Sequence, residues 1–464
     1  MTEFNNEKVL HQTDSTIREL SVSESDDNNR IEQPNWLENL RAFPERIKGS
    51  QETFHLNTHR TNFFLPPERD CFNFIVGMPF KQLMKQVERL AGTAPISRSS
   101  WFELFKGGVG YRTANKVIRW FEKVYVACSS RYDDTSKRLL QKGMKDRTTS
   151  GGWLCFIGGL RASTAYQQPD FAAEFQPQIE FLLARCEANT EMSTSIFNAI
   201  KNDEINEAAT SEVMALMLPF WRQYSLVPHA ELEAYAKALE QHDAGALVGS
   251  EAIESLFRSY FYLYLDFYLH LFASYEVGCV LTYTLDKSEL KTKKGILCRA
   301  LTHYATRNLE AINSTTCFGE FLEEFRDAIS KNIMALSKYD FARNIPMKAA
   351  REELPYSEES KRHYDKYRAW IKGKELPSRE VLEAFFDNVA DFIERDSYAT
   401  EILILMCNMT MGLDKLNNSW QQQLAKTSAA NSSDKLISYF YDAIGRYERY
   451  YQYHLNLQLN RATE

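Results

Sequence analysis

The chain has 464 residues, too many for one ordinary core, and domain-size scaling implies roughly two to four domains. Its 44% hydrophobic and 13% aromatic content excludes a disordered or fibrous chain, and only 19 Gly and 13 Pro argue against many short strands, so the fold class expected is mainly α and multi-helical. The net charge is −7, which makes any strongly basic stretch a local exception.

In chain order, residues 1–35 are polar and acidic around SVSESDDNN and read as a disordered tail unable to bury enough apolar surface to order itself. The opening residues lack the basic start and apolar core of a secretory signal, and the eight cysteines are scattered singly without CxxC, so a cytoplasmic protein with reduced thiols is expected. Residues 36–75 carry short apolar clusters separated by polar turns, an irregular lead-in. Between 81 and 150 the chain then holds fifteen Lys/Arg against six Asp/Glu, the basic island expected of a phosphate-binding face.

Within that island Phe80, Leu83, Met84, Val87 and Leu90 repeat at helical spacing and Gly92 closes the run. Ser97 is a candidate N-cap for a second helix with Trp101, Leu104 and Phe105 on one face, ended by Gly107 and Gly108. Thr113 opens a third, striped by Val117, Trp120, Phe121 and Val124. The glycines of SGGWLCFIGGLRAST read as a loop or a tight helix-packing corner.

A helical middle domain is expected over 151–345, with helices at Ile179–Ala188, Ser193–Ile200, Ala208–Tyr224, His229–Glu240, Ser250–Tyr283, Ile296–Ile312 and Phe318–Tyr339. The aromatic stretch Ser255–Leu285 is long enough to span a bilayer. Arg258, Asp266, His270 and Glu276 interrupt it, so a buried central helix and no membrane association are predicted. A second helical module is expected at 346–416. The polar run 417–434 reads as a linker and Lys435–Leu459 as one long aromatic helix, packed within the chain or at a homodimer interface.

The segment KQLMKQVERLAGTAPISRSSWFELFKGGVGYRTANKVIRWFEKV, residues 81–124, resembles the lambda-repressor/Cro-like helix-turn-helix family: a helix, a turn, a polar-fronted helix ending in Lys-Gly, a loop, then an apolar helix. Its TAPI turn is longer than the family's usual one. The resemblance implies a DNA-binding domain at 36–150 whose helix 97–106 reads the major groove of double-stranded DNA. Ser97, Arg98, Ser99, Ser100 and Glu103 would face base edges and phosphates, while Lys106, Arg112, Asn115, Lys116 and Arg119 would hold the backbone from the flanks.

The same pattern returns in DKYRAWIKGKELPSREVLEAFFDNV. Aligned on Lys-Gly, Tyr367, Trp370 and Ile371 fall on the apolar positions of the first copy, and Leu382, Phe385, Phe386 and Val389 follow after a one-residue gap. From Lys361 to Glu380 there are seven basic and three acidic residues. Arg368, Lys372, Lys374 and Arg379 are its candidate DNA contacts, so that one polypeptide would carry two reading heads.

Other constellations point to structure rather than chemistry. His55 and His59 have helical metal spacing with no completing ligand, so no metal site is expected. Asp266 and His270 lie four apart on one helix face, a pair able to do proton chemistry or to satisfy each other in a core, and the structural role is the one expected. The Glu320, Glu323, Glu324, Asp327 cluster reads as a solvated face, able to hold a cation or a basic partner. With no nucleotide-binding loop or nucleophile motif, the expectation is a non-enzymatic transcriptional regulator without cofactor. The alternative is a helical scaffold whose helix-turn-helix units bind protein partners, and a site assembled from distant helices stays open.

Overall fold

A computed structural model describes residues 63–71, 133–146, 148–163, 165–206, 210–244, 250–284, 293–310, 315–347, 355–395, 400–427 and 430–461, with the single positions 97, 110, 112, 113, 116 and 290. All regular structure among them is helical, as composition predicts. The expected tail, the His55/His59 pair and most of the basic island lie outside the described residues.

Helices α1 (Asp134–Lys145) and α2 (Ser150–Arg161) pack closely on one another. The Asp133 carboxylate starts α1 by accepting the Ser136 N–H at 2.6 Å. SGGWLCFIGGLR is thus a helix rather than a loop, and its glycines set the distance of approach: a Cβ at Gly151 would stand 2.6 Å from the Asp146 carbonyl oxygen and 2.7 Å from that of Gly143. Trp153 on α2 donates its indole N–H to the Pro66 carbonyl at 2.7 Å, which ties the lead-in segment to the body.

Helix α3 (Pro169–Lys201) merges the two helices expected at 179–188 and 193–200. The polar residues between them stay helical because Asn189 is buried and donates to the hydroxyls of Thr149 and Ser150, while Met192 enters the core. After α4 (Thr210–Tyr224) and α5 (His229–Asp243) comes α6 (Ser250–Tyr283), around which α3, α5 and the two C-terminal helices gather. Asp266, His270 and Glu276 on α6 are all buried with partners, so it is the central helix its charges foretold. Among the described residues no helix is long and apolar enough to cross a membrane.

Helices α7 (Ile296–Leu309) and α8 (Cys317–Asn332) follow, and α8 stops short of the Tyr339 end predicted for it. There the Ser330 hydroxyl exchanges hydrogen bonds with the Leu336 backbone, and Ser337 caps a separate helix α9 (Lys338–Arg343) by accepting the Asp340 N–H at 3.1 Å. The chain continues through α10 (Tyr356–Ile371), α11 (Arg379–Phe392), α12 (Thr400–Thr427), α13 (Ala430–Gly445) and α14 (Tyr447–Arg461).

Two expectations are corrected in this last third. The segment from 417 to 427 is helix, not linker: buried Asn417 donates to the hydroxyls of Tyr304 and Tyr441, and Trp420 meets the rings of Tyr260 and Phe261 edge-on at 5.3 Å. The long C-terminal helix is broken at Arg446 into α13 and α14, both packed on α6 and α7. Its surplus tyrosines serve the interior. Tyr447, Tyr450 and Tyr451 are buried, and their hydroxyls donate to Glu276, Asp266 and the Lys293 carbonyl respectively. One buried apolar cluster runs from Phe64 to Leu455 and crosses the positions 345 and 416 at which domain boundaries were placed.

Candidate nucleic-acid interface and the adjoining cleft

Of the first module's candidate contacts, Arg98, Ser99, Ser100, Glu103, Lys106, Asn115 and Arg119 lie outside the described residues. Ser97, Arg112 and Lys116 are exposed, and the backbone is helical at Arg112, Thr113 and Lys116, so helix is present one residue before Thr113, where it was expected to open.

The second module is described throughout its two helices. Tyr367 and Trp370 on α10, with Leu382, Phe385, Phe386 and Val389 on α11, are buried, so these aligned apolar positions point inward, while Ile371 is half-buried against the same core and borders the cleft. Trp370 meets Phe385 edge-on at 5.6 Å and Phe318 of α8 at 6.3 Å, and Phe341 of α9 packs against Tyr367 and Phe385. The Lys-Gly that anchored the alignment terminates α10. Gly373 takes φ +63°, and the N–H groups of Gly373 and Lys374 bond back to the carbonyls of Trp370 and Ala369, a left-handed cap that suits glycine. The end of α10 is then fastened to the start of α8: Thr316 donates its hydroxyl to the Ile371 carbonyl at 2.8 Å, and a Cβ on Gly319 would stand 2.6 Å from that same oxygen.

The outward face of α10 carries the charge. Lys361, Asp365, Arg368 and Lys372 recur at four, three and four residues, opposite Tyr367 and Trp370, and all four are exposed. Lys361, Arg362, Arg368, Lys372 and Lys374 form no ion pair with any described residue, whereas Lys366 is paired with Glu375. Arg379 is committed elsewhere, to Glu383 at 2.7 Å and to both oxygens of Glu401 at 2.7 and 2.8 Å, and so joins α11 to α12 instead of standing free with the other candidate contacts.

One wall of α10 also closes a cleft of about 370 Å³ with α7 and α8. It gathers Arg368 and Lys372 with the acidic cluster of α8, which is not the freely solvated face its sequence suggests. Glu320 receives Arg307 at 2.5 Å, Glu323 receives Lys338 at 2.9 Å, Arg326 at 3.1 Å and the Tyr367 hydroxyl at 3.1 Å, and Glu324 receives His303 at 2.7 Å and Arg299 at 2.8 Å. Asp327 pairs with Arg326. Glu320 is almost wholly buried, and loss of solvation raises its pKa, with Arg307 opposing the rise. Among the described residues no group of His, Cys, Asp and Glu is placed to hold a metal ion.

The Asp266–His270 pair is sealed in the core. Asp266 takes Arg185 at 2.7 Å, the Tyr450 hydroxyl at 3.0 Å and the Leu226 N–H at 3.0 Å, while His270 meets His454 ring nitrogen to nitrogen at 3.0 Å. Burial lowers the pKa of both imidazoles well below the usual value, with Arg185 adding to it, so they sit neutral and structural. Two buried carboxylates act as long-range helix caps: Glu276, which the sequence marks only as an interruption of the aromatic stretch, accepts the Cys298 N–H at the start of α7, and Asp414, which sequence reading did not single out, accepts the Cys317 and Phe318 N–H groups at the start of α8. Nothing in the local sequence points to the capping role of either.

No protein-family model matches the chain, and neither a curated protein nor a solved structure matches it.

Proposed function

We propose that this protein binds double-stranded DNA through the α9–α11 module and acts in transcription regulation. The observation that carries the reading is the cation distribution on α10 and at its end: Lys361, Arg362, Arg368, Lys372 and Lys374 crowd one short stretch without an ion-pair partner among the described residues, against a net charge of −7 for the whole chain. Unpaired cations on the face opposite a helix's buried side are what phosphate oxygens require, and each neutralised phosphate releases counterions. Lys361, Arg368 and Lys372 are the phosphate contacts in this reading. Glu358 and Glu359 in the first turn keep phosphate away from the start of α10 and leave Ser357 and Glu358 for base edges, where a carboxylate accepts from the cytosine amino group. Arg379, held by Glu383 and Glu401, is not a contact.

The test is fluorescence anisotropy of the full chain on a random-sequence duplex across a salt series. The reading expects log affinity to fall linearly with log salt, and Lys361→Ala, Arg368→Ala and Lys372→Ala together to flatten the slope by about 3. Absence of duplex affinity overturns it in favour of the protein-interaction reading, and an unchanged slope in the triple variant removes α10 from the interface.

A further inference from the structure

We propose that the cleft between α7, α8 and α10 is a binding site for a small organic anion, with Arg368 and Lys372 holding its carboxylate or phosphate group and Tyr364 bordering its body. The volume of about 370 Å³ falls in the range of small-molecule sites, roughly 300–1,000 Å³. The sign of the ligand follows from the pairing. Every carboxylate in the cleft already has a cation: Glu320 has Arg307, Glu323 has Lys338 and Arg326, Glu324 has Arg299, and Asp327 has Arg326. Arg368 and Lys372 have none among the described residues, so the unmet charge is positive. A metal ion or an ammonium group entering the cleft would have to displace an existing partner, whereas an anion completes two empty ones.

The walls are already fixed. Tyr364 stacks on Tyr339 of α9 with ring centroids 4.2 Å apart and planes 23° from parallel, and the Thr316 hydroxyl bond to Ile371 locks α10 against α8 at the cleft's end. Arg307 uses only one of its terminal nitrogens on Glu320 and its side chain is about half exposed, leaving donors free on the opposite wall. An anion seated between Arg368 and Lys372 on one side and Arg307 on the other therefore finds packed walls and has only the exposed cation side chains to order.

Arg368 and Lys372 belong as well to the stripe read above as facing phosphate. The binding of the anion is independent of that reading; the consequence that anion and duplex DNA compete rests on it.

Isothermal titration of the full chain with adenosine monophosphate, succinate, inorganic phosphate and, as the cationic control, spermidine tests the site without DNA. Saturable binding of an anionic probe is expected, weakened at least about tenfold by Arg368→Ala and again by Lys372→Ala, and unmoved by Lys374→Ala on the loop beyond the cleft. Tyr364→Ala is expected to weaken the organic probes and spare inorganic phosphate. Which organic probe binds names the headgroup. No saturable anion binding, equal binding in the Arg368→Ala, Lys372→Ala double variant, or a preference for spermidine overturns the proposal. Adding the bound anion to a preformed duplex complex then reads the competition: failure of duplex binding removes the DNA reading alone, and failure of titration removes the cleft alone.

Discussion

Replacement of Asp414 by alanine tests how the molecule holds α8, the helix against which the second module packs. The Asp414 carboxylate, 6% exposed on α12, accepts the N–H groups of Cys317 and Phe318 at 2.7 and 3.0 Å. Asp414→Ala leaves two N–H groups without that acceptor, at about 1–3 kcal/mol each, so a loss of about 2–6 kcal/mol is expected at pH 5. The pH dependence has a definite sign. Burial raises the Asp414 pKa from 3.8 to about 7 against the pull of the two N–H groups, so the unfolded chain releases this proton first as pH rises. The folded state's advantage is complete below 3.8 and lost as pH passes through about 7, a fall of roughly 4 kcal/mol in wild type across that interval. Alanine has nothing to titrate, so the gap between variant and wild type should narrow by about 3 kcal/mol from pH 5 to pH 8. Urea unfolding of both proteins, followed by tryptophan fluorescence at each pH, measures that gap. A gap that stays constant or widens with pH would show that the site prefers the anion and refute the reasoning.

Gly319→Ala sets a methyl 2.6 Å from the Ile371 carbonyl oxygen and must push α10 off α8; a loss of about 1–3 kcal/mol is expected, read as a lower urea midpoint with unchanged slope. Trp370→Ala opens a cavity between α8, α10 and α11 and should cost about 3–5 kcal/mol in the same assay. Arg379→Ala breaks the α11–α12 ion pairs with Glu383 and Glu401 but should leave the salt slope of duplex binding intact, whereas Arg368→Ala lowers it by about 0.9; equal effects would return Arg379 to the interface. If both modules read DNA, Arg98→Ala and Lys372→Ala each weaken affinity for a selected duplex. Affinity unchanged in both single variants would end the two-head idea.

Where burial of an apolar face decides a helix, periodicity alone located it. Tyr367 and Trp370 on α10 and Leu382, Phe385, Phe386 and Val389 on α11 are inward in the structure as their spacing required. Boundaries set by side-chain bonds to distant partners were not legible. Asn417 looks like linker until Tyr304 and Tyr441 supply its hydrogen bonds, and the end of α8 depends on the Ser330 exchange with Leu336. The cleft shows the same limit. Its acidic residues are visible as a run on one helix, but the cations that neutralise them come from α7, α8 itself and α9, and the two left over come from α10. Only after that pairing is known does the surplus of positive charge appear.

The distance along the chain between α6 and its polar partners has a kinetic consequence. Asp266 and His270 find Tyr450 and His454 at a separation of 184 residues, and Glu276 finds Tyr447 at 171. During synthesis α6 emerges long before α14 exists, with an aspartate and a glutamate embedded in an otherwise apolar surface. Arg185 and the Leu226 N–H, made before α6, can already hold Asp266, so it is Glu276 and His270 that stay hydrated and hinder collapse onto wrong apolar neighbours until Tyr447 and His454 arrive. Folding of this protein should accordingly end, not begin, with the closure of its own centre.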